Sequence, residues 1–277
     1  MNTPEGFTPN NSGPIETCVR VMSWNIWWQF GPWQPRAPLI EATIKAADPD
    51  LIALQEVWGD TAENHAKILA EKLGYHYFHA RCMTMNGTGF GNAILSRWPI
   101  AERKEITLSG QAETGETRNA LYARIDGPRG VIPFFCTHLN WRYEQSHIRQ
   151  QQVRDVAAFV ADNPGDKMPP LLCGDFNAEP MSEEIRALTG LTTAATPGLV
   201  FHDAWVAAGK GDGMTWSSEN AFAAAEFEPD RRIDYIFAGH PKARGRGHVT
   251  KIEIIGNCAT NGIWPSDHFG LMAKIRY

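Results

Sequence analysis

Short apolar runs alternate with polar segments along the chain, and their pattern predicts more strands than helices. The strand-like runs are rich in Val, Ile, Leu and Phe. They occupy residues 19–26, 51–54, 75–81, 93–95, 100–108, 120–125, 131–136, 171–173, 232–237, 251–255 and 270–277, with a hairpin turn expected at 126–130. Helical spacing predicts helices at 37–47, 61–73, 144–160 and shortly after residue 180, and Gly74 is the expected C-cap of the second.

The order of these elements favours two sheets packed face to face, with helices on the outside. Helices fall between strands in both halves of the chain, which fits such a sandwich better than an alternating parallel α/β barrel. We expect one domain over residues 18–277, preceded by a flexible polar tail at residues 1–17. Residues 190–229 have looser sequence, and no internal repeat or linker is evident.

The stretch 171–180 places chemically active side chains at the end of a predicted strand. Residues 171–173 are apolar, and Gly174 is expected to allow a sharp turn. Asp175 and Asn177 then share one face of extended backbone, although a simple Asp/Asn turn is an equally good interpretation of this stretch alone. Other predicted strands end similarly, so one loop-rich rim would collect Asn25, Glu56, His138, Asp175, Asn177, Asp234, Asp267 and His268.

The residue types in this group indicate a hard metal ion. Glu56, Asp175 and Asp267 offer carboxylate oxygens, which suit Mg²⁺ or Mn²⁺, whereas zinc would favour more His or Cys. His268, with Asp234 as an acidic partner, fits a base whose tautomer is fixed. The sequence contains no nucleophile elbow, no Gly-rich phosphate loop after a strand and no zinc-protease spacing of His. It therefore indicates metal-assisted attack by water.

Taken in order, the polar motifs resemble those of the endonuclease/exonuclease/phosphatase superfamily, which has the DNase I-like fold. The resemblance runs from about residue 19 to residue 277. It rests on Ser23-Trp24-Asn25, Leu54-Gln55-Glu56, Thr137-His138-Leu139, Gly174-Asp175-Phe176-Asn177, Arg232-Ile233-Asp234-Tyr235 and Ser266-Asp267-His268. It implies a four-layered α/β sandwich, in which two packed, mainly antiparallel sheets are flanked by helices. It also implies hydrolysis of phosphate esters with a divalent metal.

The resemblance assigns the metal site by position. Glu56 would be the main metal ligand, with Asn25 beside it, and Asp267 would support the site. The expected cofactor is Mg²⁺ or Mn²⁺.

The same resemblance assigns the catalytic residues. Asp175 would orient or activate the attacking water, and Asn177 would hold the phosphate or the water. His268 paired with Asp234 would stabilise the developing charge. His138 would face the leaving-group side.

The Thr137-His138-Leu139 motif resembles the branch that contains DNase I, deadenylases, neutral sphingomyelinases and inositol phosphatases. We therefore expect hydrolysis of a phosphodiester. The alternatives are a phosphomonoesterase for a small phosphorylated metabolite or lipid headgroup, and a nuclease acting on DNA or RNA. A non-catalytic binding module on the same fold ranks low, because the acidic and His positions whose loss it would show are all present.

The charge and the cysteine content indicate which substrates and which cellular compartment to expect. The net charge is -5 without a basic run, so a phosphate-ester substrate other than nucleic acid is favoured. The five cysteines are widely spaced, no secretory signal pattern is seen, and no apolar stretch approaches the ~20 residues that span a bilayer. We expect a cytoplasmic protein, and the sequence leaves its oligomeric state open.

Two further features each have two interpretations. Trp27, Trp28 and Trp33 follow the first predicted strand, where packing is the favoured interpretation and an aromatic wall for substrate is the alternative. Arg118 and Asn119 precede another strand. They are either phosphate contacts or an ordinary exposed strand start.

Overall fold

Two sheets of six strands each form the centre of the described chain. The structure, a computed structural model, describes residues 13–277. In chain order the strands are β1 (Cys18–Asn25), β2 (Leu51–Trp58), β3 (His76–Met85), β4 (Thr88–Ser96), β5 (Ile100–Thr107), β6 (Asn119–Gly127), β7 (Gly130–His138), β8 (Leu171–Asp175), β9 (Phe201–Asp203), β10 (Asp234–Gly239), β11 (Val249–Ile255) and β12 (Gly270–Arg276). The first sheet has the order β11-β12-β1-β2-β4-β3, and the second has the order β5-β6-β7-β8-β10-β9.

Helices cover the outer face of each sheet. The helices in chain order are α1 (Trp33–Ala47), α2 (His65–Leu73), α3 (Gln111–Thr114), α4 (Ser146–Ala161), α5 (Glu183–Thr189), α6 (Ala204–Ala208) and α7 (Ala221–Ala224). Of these, α1 and α2 lie on the first sheet, and α4 and α5 lie on the second. Met22 of β1 and Ile40 of α1 share one apolar cluster, and Phe135 of β7 and Val156 of α4 share another. The inner faces of the two sheets pack together through a third cluster, which includes Cys173. The predicted four-layered α/β sandwich is confirmed.

The parallel strand pairs determine where the polar strand ends meet. β1 pairs with β2, and β7 pairs with β8, in parallel at the centre of each sheet, whereas the other pairs are antiparallel. Their registers align Asn25 with Gln55 and His138 with Asp175, and antiparallel β10 places Asp234 opposite Asp175. Because β1 and β2 also contact β8 across the sandwich, these strand ends converge.

Side-chain hydrogen bonds move several element boundaries from their predicted positions. α2 begins at His65 and not at residue 61, because Asn64 Oδ1 accepts a hydrogen bond from Lys67 N (2.8 Å) as the N-cap. Gly74 is its C-cap, as predicted, with φ of 76°. β10 begins at residue 234 and not at 232.

The predicted turn at Gly174 is wrong, because this residue lies within β8. A Cβ here would lie 2.2 Å from the carbonyl oxygen of Thr137 on β7. The close approach of two parallel strands, and not a turn, therefore requires glycine. The backbone turns later, at Asn177, whose φ is 49°.

Residues 1–12 of the predicted tail lie outside the described residues. In the segment 13–17, Ile15 is buried and its N–H donates to Arg244 O (2.9 Å). Thr17 Oγ1 donates to Tyr277 O (2.6 Å). This segment packs against the domain instead of extending away from it.

All five cysteines are free thiols, and Cys136 and Cys173 are buried between the sheets. Within residues 13–277, no helix is both long enough and apolar enough to cross a membrane.

Replacing Gly174 with alanine tests the close contact between β7 and β8. We expect Gly174→Ala to lower the free energy of unfolding by roughly 2 kcal/mol or more, because the strand must shift to clear the Thr137 carbonyl. Urea denaturation measures the loss. Lys251→Ala, at an exposed strand position, is the control and should change stability by about 0.5 kcal/mol or less. An equally small change for Gly174→Ala would contradict the steric explanation.

Candidate active site

Asn25 joins the two sheets at the converging strand ends. Its side chain is fully buried, and Nδ2 donates to Glu56 Oε1 (3.1 Å) and to Asp175 Oδ2 (3.0 Å). Its Oδ1 accepts a hydrogen bond from Trp27 N (3.0 Å), which fixes the orientation of the amide. One side chain thus links a carboxylate of each sheet.

Glu56 reaches this position through an irregularity in β2. The register with β4 shifts between Leu54 and Val57, so two residues of β2 oppose a single residue of β4. Glu56 itself has φ of 54°, a left-handed conformation that is strained for a residue other than glycine. Its Oε2 is buried and has no hydrogen-bond partner. Backbone strain and an unpaired buried oxygen in one residue indicate a ligand at this carboxylate.

Asp175 lies at the centre of the side chains that the second sheet contributes. Its Oδ1 accepts a hydrogen bond from Asn177 N (2.9 Å). Its Oδ2 lies 3.5 Å from His138 Nε2 and 3.7 Å from His268 Nε2. Asn177 Nδ2 lies 3.1 Å from His138 Nε2 and donates to Leu139 O (3.2 Å).

His268 is held by its backbone and by its ring. Trp24 Nε1 donates to His268 O (3.0 Å), and His268 Nδ1 lies 2.9 Å from Asp234 Oδ2. Burial by itself would lower the pKa of His268, but Asp234, Asp175 and Asp267 together raise this pKa well above its ordinary value. This shift favours the imidazolium form, in which Nδ1–H donates to Asp234.

Burial also shifts the pKa values of the carboxyl groups in this cluster. Burial raises the pKa of Asp175 to about 7, and the charge of Asp234 acts in the same direction. Burial raises the pKa of Asp267 to about 7, His268 opposes the shift and Glu56 adds to it. The pKa of Glu56 is also raised by burial. Several carboxylates therefore share a space with too little positive charge, and a divalent cation would relieve it.

A sequence model of the Endonuclease/Exonuclease/phosphatase family matches residues 22–268. The chain belongs to this family. Members of the family hydrolyse phosphate esters, so the polar cluster is the expected place for that chemistry.

Relatives with curated descriptions match parts of this family member. It is 30% identical over 177 residues to "Uncharacterized protein YbhP" of Escherichia coli K12, covering 57% of this chain and 66% of YbhP. It is 25% identical over 286 residues to a "Putative neutral sphingomyelinase" of Drosophila melanogaster, covering 93% of this chain and 60% of that protein. The match to human Nocturnin is 30% over 194 residues, covering 60% of this chain and 44% of Nocturnin.

Solved structures share the fold. D. rerio TDP2, in complex with a single-strand DNA product, superposes with a TM-score of 0.75 at 22% identity over 95% of this chain and 100% of that chain. The human Nocturnin catalytic domain, with a bound sulfate anion, superposes with a TM-score of 0.69 at 22% identity over 94% of this chain and 95% of that chain.

The structure brings all eight residues that we predicted for the site to one end of the sandwich. The ligand atoms of Asp175, Asp234 and His268 lie within 4.8 Å of one another, so they form a group compact enough for a metal ion. The Nδ1 of His268, however, is engaged by Asp234. The unpaired Oε2 of Glu56, with Asp267 as its electrostatic neighbour, offers hard oxygen donors and fits a magnesium-type ion better.

Arg36 is a residue of the site region that sequence reasoning missed. Its guanidinium is buried and donates to the carbonyl oxygens of residues 26, 27, 28, 30 and 265, at 2.7 to 3.1 Å. It also stacks on the Trp27 ring, with 4.6 Å to the ring centroid. Arg36 thus ties the loop after Asn25 to the loop that carries Asp267. A single arginine between prolines in an apolar segment was the available signal.

Arg118 and Asn119 have different roles. Arg118 is buried, and its Nη1 lies 3.0 Å from His138 Nδ1 while Nη2 donates to Glu116 Oε2 (3.0 Å), so it is not an exposed strand start. Burial lowers the pKa of His138 well below its ordinary value, and Arg118 acts in the same direction, which keeps this ring neutral. Asn119 Oδ1 accepts from Asn92 Nδ2 (2.8 Å), an internal contact.

The tryptophan side chains that follow β1 pack mainly against other side chains of the protein. Trp28 is buried and its Nε1 donates to Gly89 O (2.8 Å), so packing is confirmed for this residue and a substrate wall is not. Trp33 packs edge-on against Trp58, with ring centroids 5.7 Å apart. The rings of Trp27 and Phe222 are in contact, with their centroids 4.7 Å apart.

Arg36→Lys tests whether this arginine positions the two loops. A lysine has three donors and no planar fork, so it cannot satisfy five carbonyls, and we expect a loss of about 2–4 kcal/mol in stability with weaker Mg²⁺ binding. Thermal melting and calorimetric Mg²⁺ titration measure the two effects. Arg186→Lys, at a partly exposed position of α5, is the matched control. Unchanged Mg²⁺ affinity in folded Arg36→Lys would show that the residue only stabilises the fold.

A double-variant cycle tests the pairing of Asp234 with His268. Asp234→Asn and His268→Ala should each lower turnover of a bis-ester about 10²–10⁴-fold, and the double variant should lose little more, because paired residues act as a unit. Steady-state kinetics on folded protein gives the three rates. Losses that simply multiply would mean that the two residues act independently.

Proposed function

We propose that this protein is a divalent-metal-dependent phosphodiesterase that uses water as the nucleophile. The observation that carries the proposal is the buried cluster in which Asn25 links Glu56 to Asp175, while Asp234 holds His268 beside Asp175. This arrangement combines an oxygen-rich metal position, a carboxylate for water and a cationic donor within one site.

The metal would be held by Glu56, with Asp267 in support and Asn25 beside them. When bound, Mg²⁺ or Mn²⁺ supplies Lewis-acid stabilisation of the charge that develops on phosphoryl oxygens. Glu56 suits this task because its Oε2 is already buried without a partner.

The side chains of the second sheet orient the reactants. Asp175 accepts a proton from the attacking water, since burial gives it a raised pKa and its Oδ2 faces the centre of the cluster. His268 is held as a cation by Asp234 and directs Nε2 towards the same centre, where it donates to a phosphoryl oxygen. Asn177 holds the phosphate or the water by its amide. Neutral His138, backed by Arg118, faces the leaving group.

The preference for a diester over a monoester rests on His138 and on the branch of the family that its motif resembles. A monoesterase of small metabolites or headgroups is the less favoured proposal.

Glu56→Gln tests the metal assignment. The amide removes the charged oxygen that we place on the cation, so we expect weaker Mg²⁺ binding and a loss of turnover of about 10²-fold or more, with the fold intact. Calorimetry and hydrolysis of bis(p-nitrophenyl) phosphate measure the two effects. Glu253→Gln, on the exposed face of β11, is the control. Wild-type Mg²⁺ affinity in Glu56→Gln would refute the assignment.

A further inference from the structure

Exposed apolar side chains concentrate around the opening of the active site. Of the eight large apolar side chains that are exposed within residues 13–277, five lie in loops at the catalytic end of the sandwich. These five are Phe30, Trp141, Tyr143, Met181 and Phe227. The remaining three are Leu191, Val200 and Val206. Apolar exposure gathered at one place marks an interaction surface.

Contacts and chain neighbours place four of these side chains near Asn177 and His138. Tyr143 Oη donates to Glu228 Oε2 (3.3 Å), and the Arg231 guanidinium lies 4.3 Å from the Tyr143 ring centroid, so the loop after β7 touches the loop before β10. A cavity of about 140 Å³ lies between these loops and is also lined by Ser182 and Asn177. Tyr143 lines this cavity, Met181 adjoins Ser182 in the chain, and Phe227 adjoins Glu228. Trp141 Nε1 donates to Glu116 Oε1 (3.1 Å), the ion-pair partner of Arg118. We name these four side chains the mouth patch: Trp141, Tyr143, Met181 and Phe227.

Phe227 is the most exposed of the mouth-patch side chains. Its side chain is 94% exposed, and its φ of 58° is strained for a bulky residue. The backbone strain costs stability. Burial of the ring against an external apolar phase would offset this cost.

The charges around the mouth patch select against polyanions. The segments 116–118, 141–144, 179–182 and 226–231 carry six carboxylates and three arginines. Arg118 and Arg231 already pair with Glu116 and Glu228. The phosphates of single-stranded nucleic acid, or of an anionic bilayer, therefore gain no net attraction here.

A zwitterionic lipid surface fits these charges. Trp and Tyr side chains are favoured at the headgroup level of a bilayer, and Phe and Met can insert below it. The cationic end of a choline or ethanolamine headgroup would meet exposed carboxylates such as Glu144 and Glu226, and aromatic faces such as Trp141.

We propose that the mouth patch docks the enzyme on a zwitterionic phospholipid surface, so that the active site receives a headgroup phosphodiester displayed there. The delivery of substrate rests on the proposed phosphodiesterase function. Docking itself needs no catalysis, so the two can fail separately.

Co-sedimentation of the full chain with vesicles of phosphatidylcholine tests the docking. Phe227→Ser and Met181→Ser should each weaken partition, roughly tenfold or more for Phe227→Ser, because one buried apolar side chain is lost from the contact. Val206→Ser is the matched control, since Val206 is as exposed as Met181 (77%) but lies on α6. Replacing part of the lipid with phosphatidylserine should reduce binding.

The outcomes separate docking from catalysis. The proposal is overturned if the wild-type protein does not bind phosphatidylcholine vesicles, or if Val206→Ser loses as much binding as Phe227→Ser. It is equally overturned if a single-stranded oligothymidine binds and Trp141→Ala abolishes that binding, because the patch is then a base-stacking platform. Hydrolysis of soluble bis(p-nitrophenyl) phosphate reports independently on the proposed function.

Discussion

The amide of Asn25 is the contact on which the geometry of the active site depends. It donates to Glu56 in the first sheet and to Asp175 in the second, at the one place where both sheets deliver carboxylates. The main-chain carbonyl oxygen of Asn25 also accepts a hydrogen bond from Ser266 Oγ (2.7 Å), and this bond fixes the loop that carries His268. A displacement of β1 would therefore move Glu56, Asp175 and His268 together.

Burial makes the carboxyl groups around Asn25 harder to ionise. The carboxylates of Glu56, Asp175 and Asp267 all have raised pKa values, since little solvent reaches them and they lie near one another. Arg36 supplies buried positive charge nearby, but its Nη1 and Nη2 groups donate to backbone carbonyls. The fold thus maintains an electrostatically costly site, and it does so by rigid connections to strands and loops.

The layer order and the membership of the site follow from the sequence, because they depend on local patterns. Apolar runs predict strands, and a polar residue at the end of each run, such as Asp175, predicts a shared rim. What could not be predicted depends on partners distant in the chain. Arg36 meets Pro265 O only in the folded state, and Gly174 is needed because β7 lies against β8. The start of β10 is likewise decided by Thr215 Oγ1, which accepts a hydrogen bond from Ile233 N (3.2 Å).

The strand orders of the two sheets also bear on the evolutionary history of the chain. Each sheet has two antiparallel neighbours, a central parallel pair and two further antiparallel neighbours, so β1 and β2 correspond to β7 and β8. In both pairs a helix connects the strands, α1 in one and α4 in the other. Duplication of one ancestral unit would leave this topology. Under that correspondence Asn25 is the counterpart of His138, and Glu56 is close to the counterpart of Asp175, so equivalent strand ends of the two sheets supply different side chains to one polar cluster.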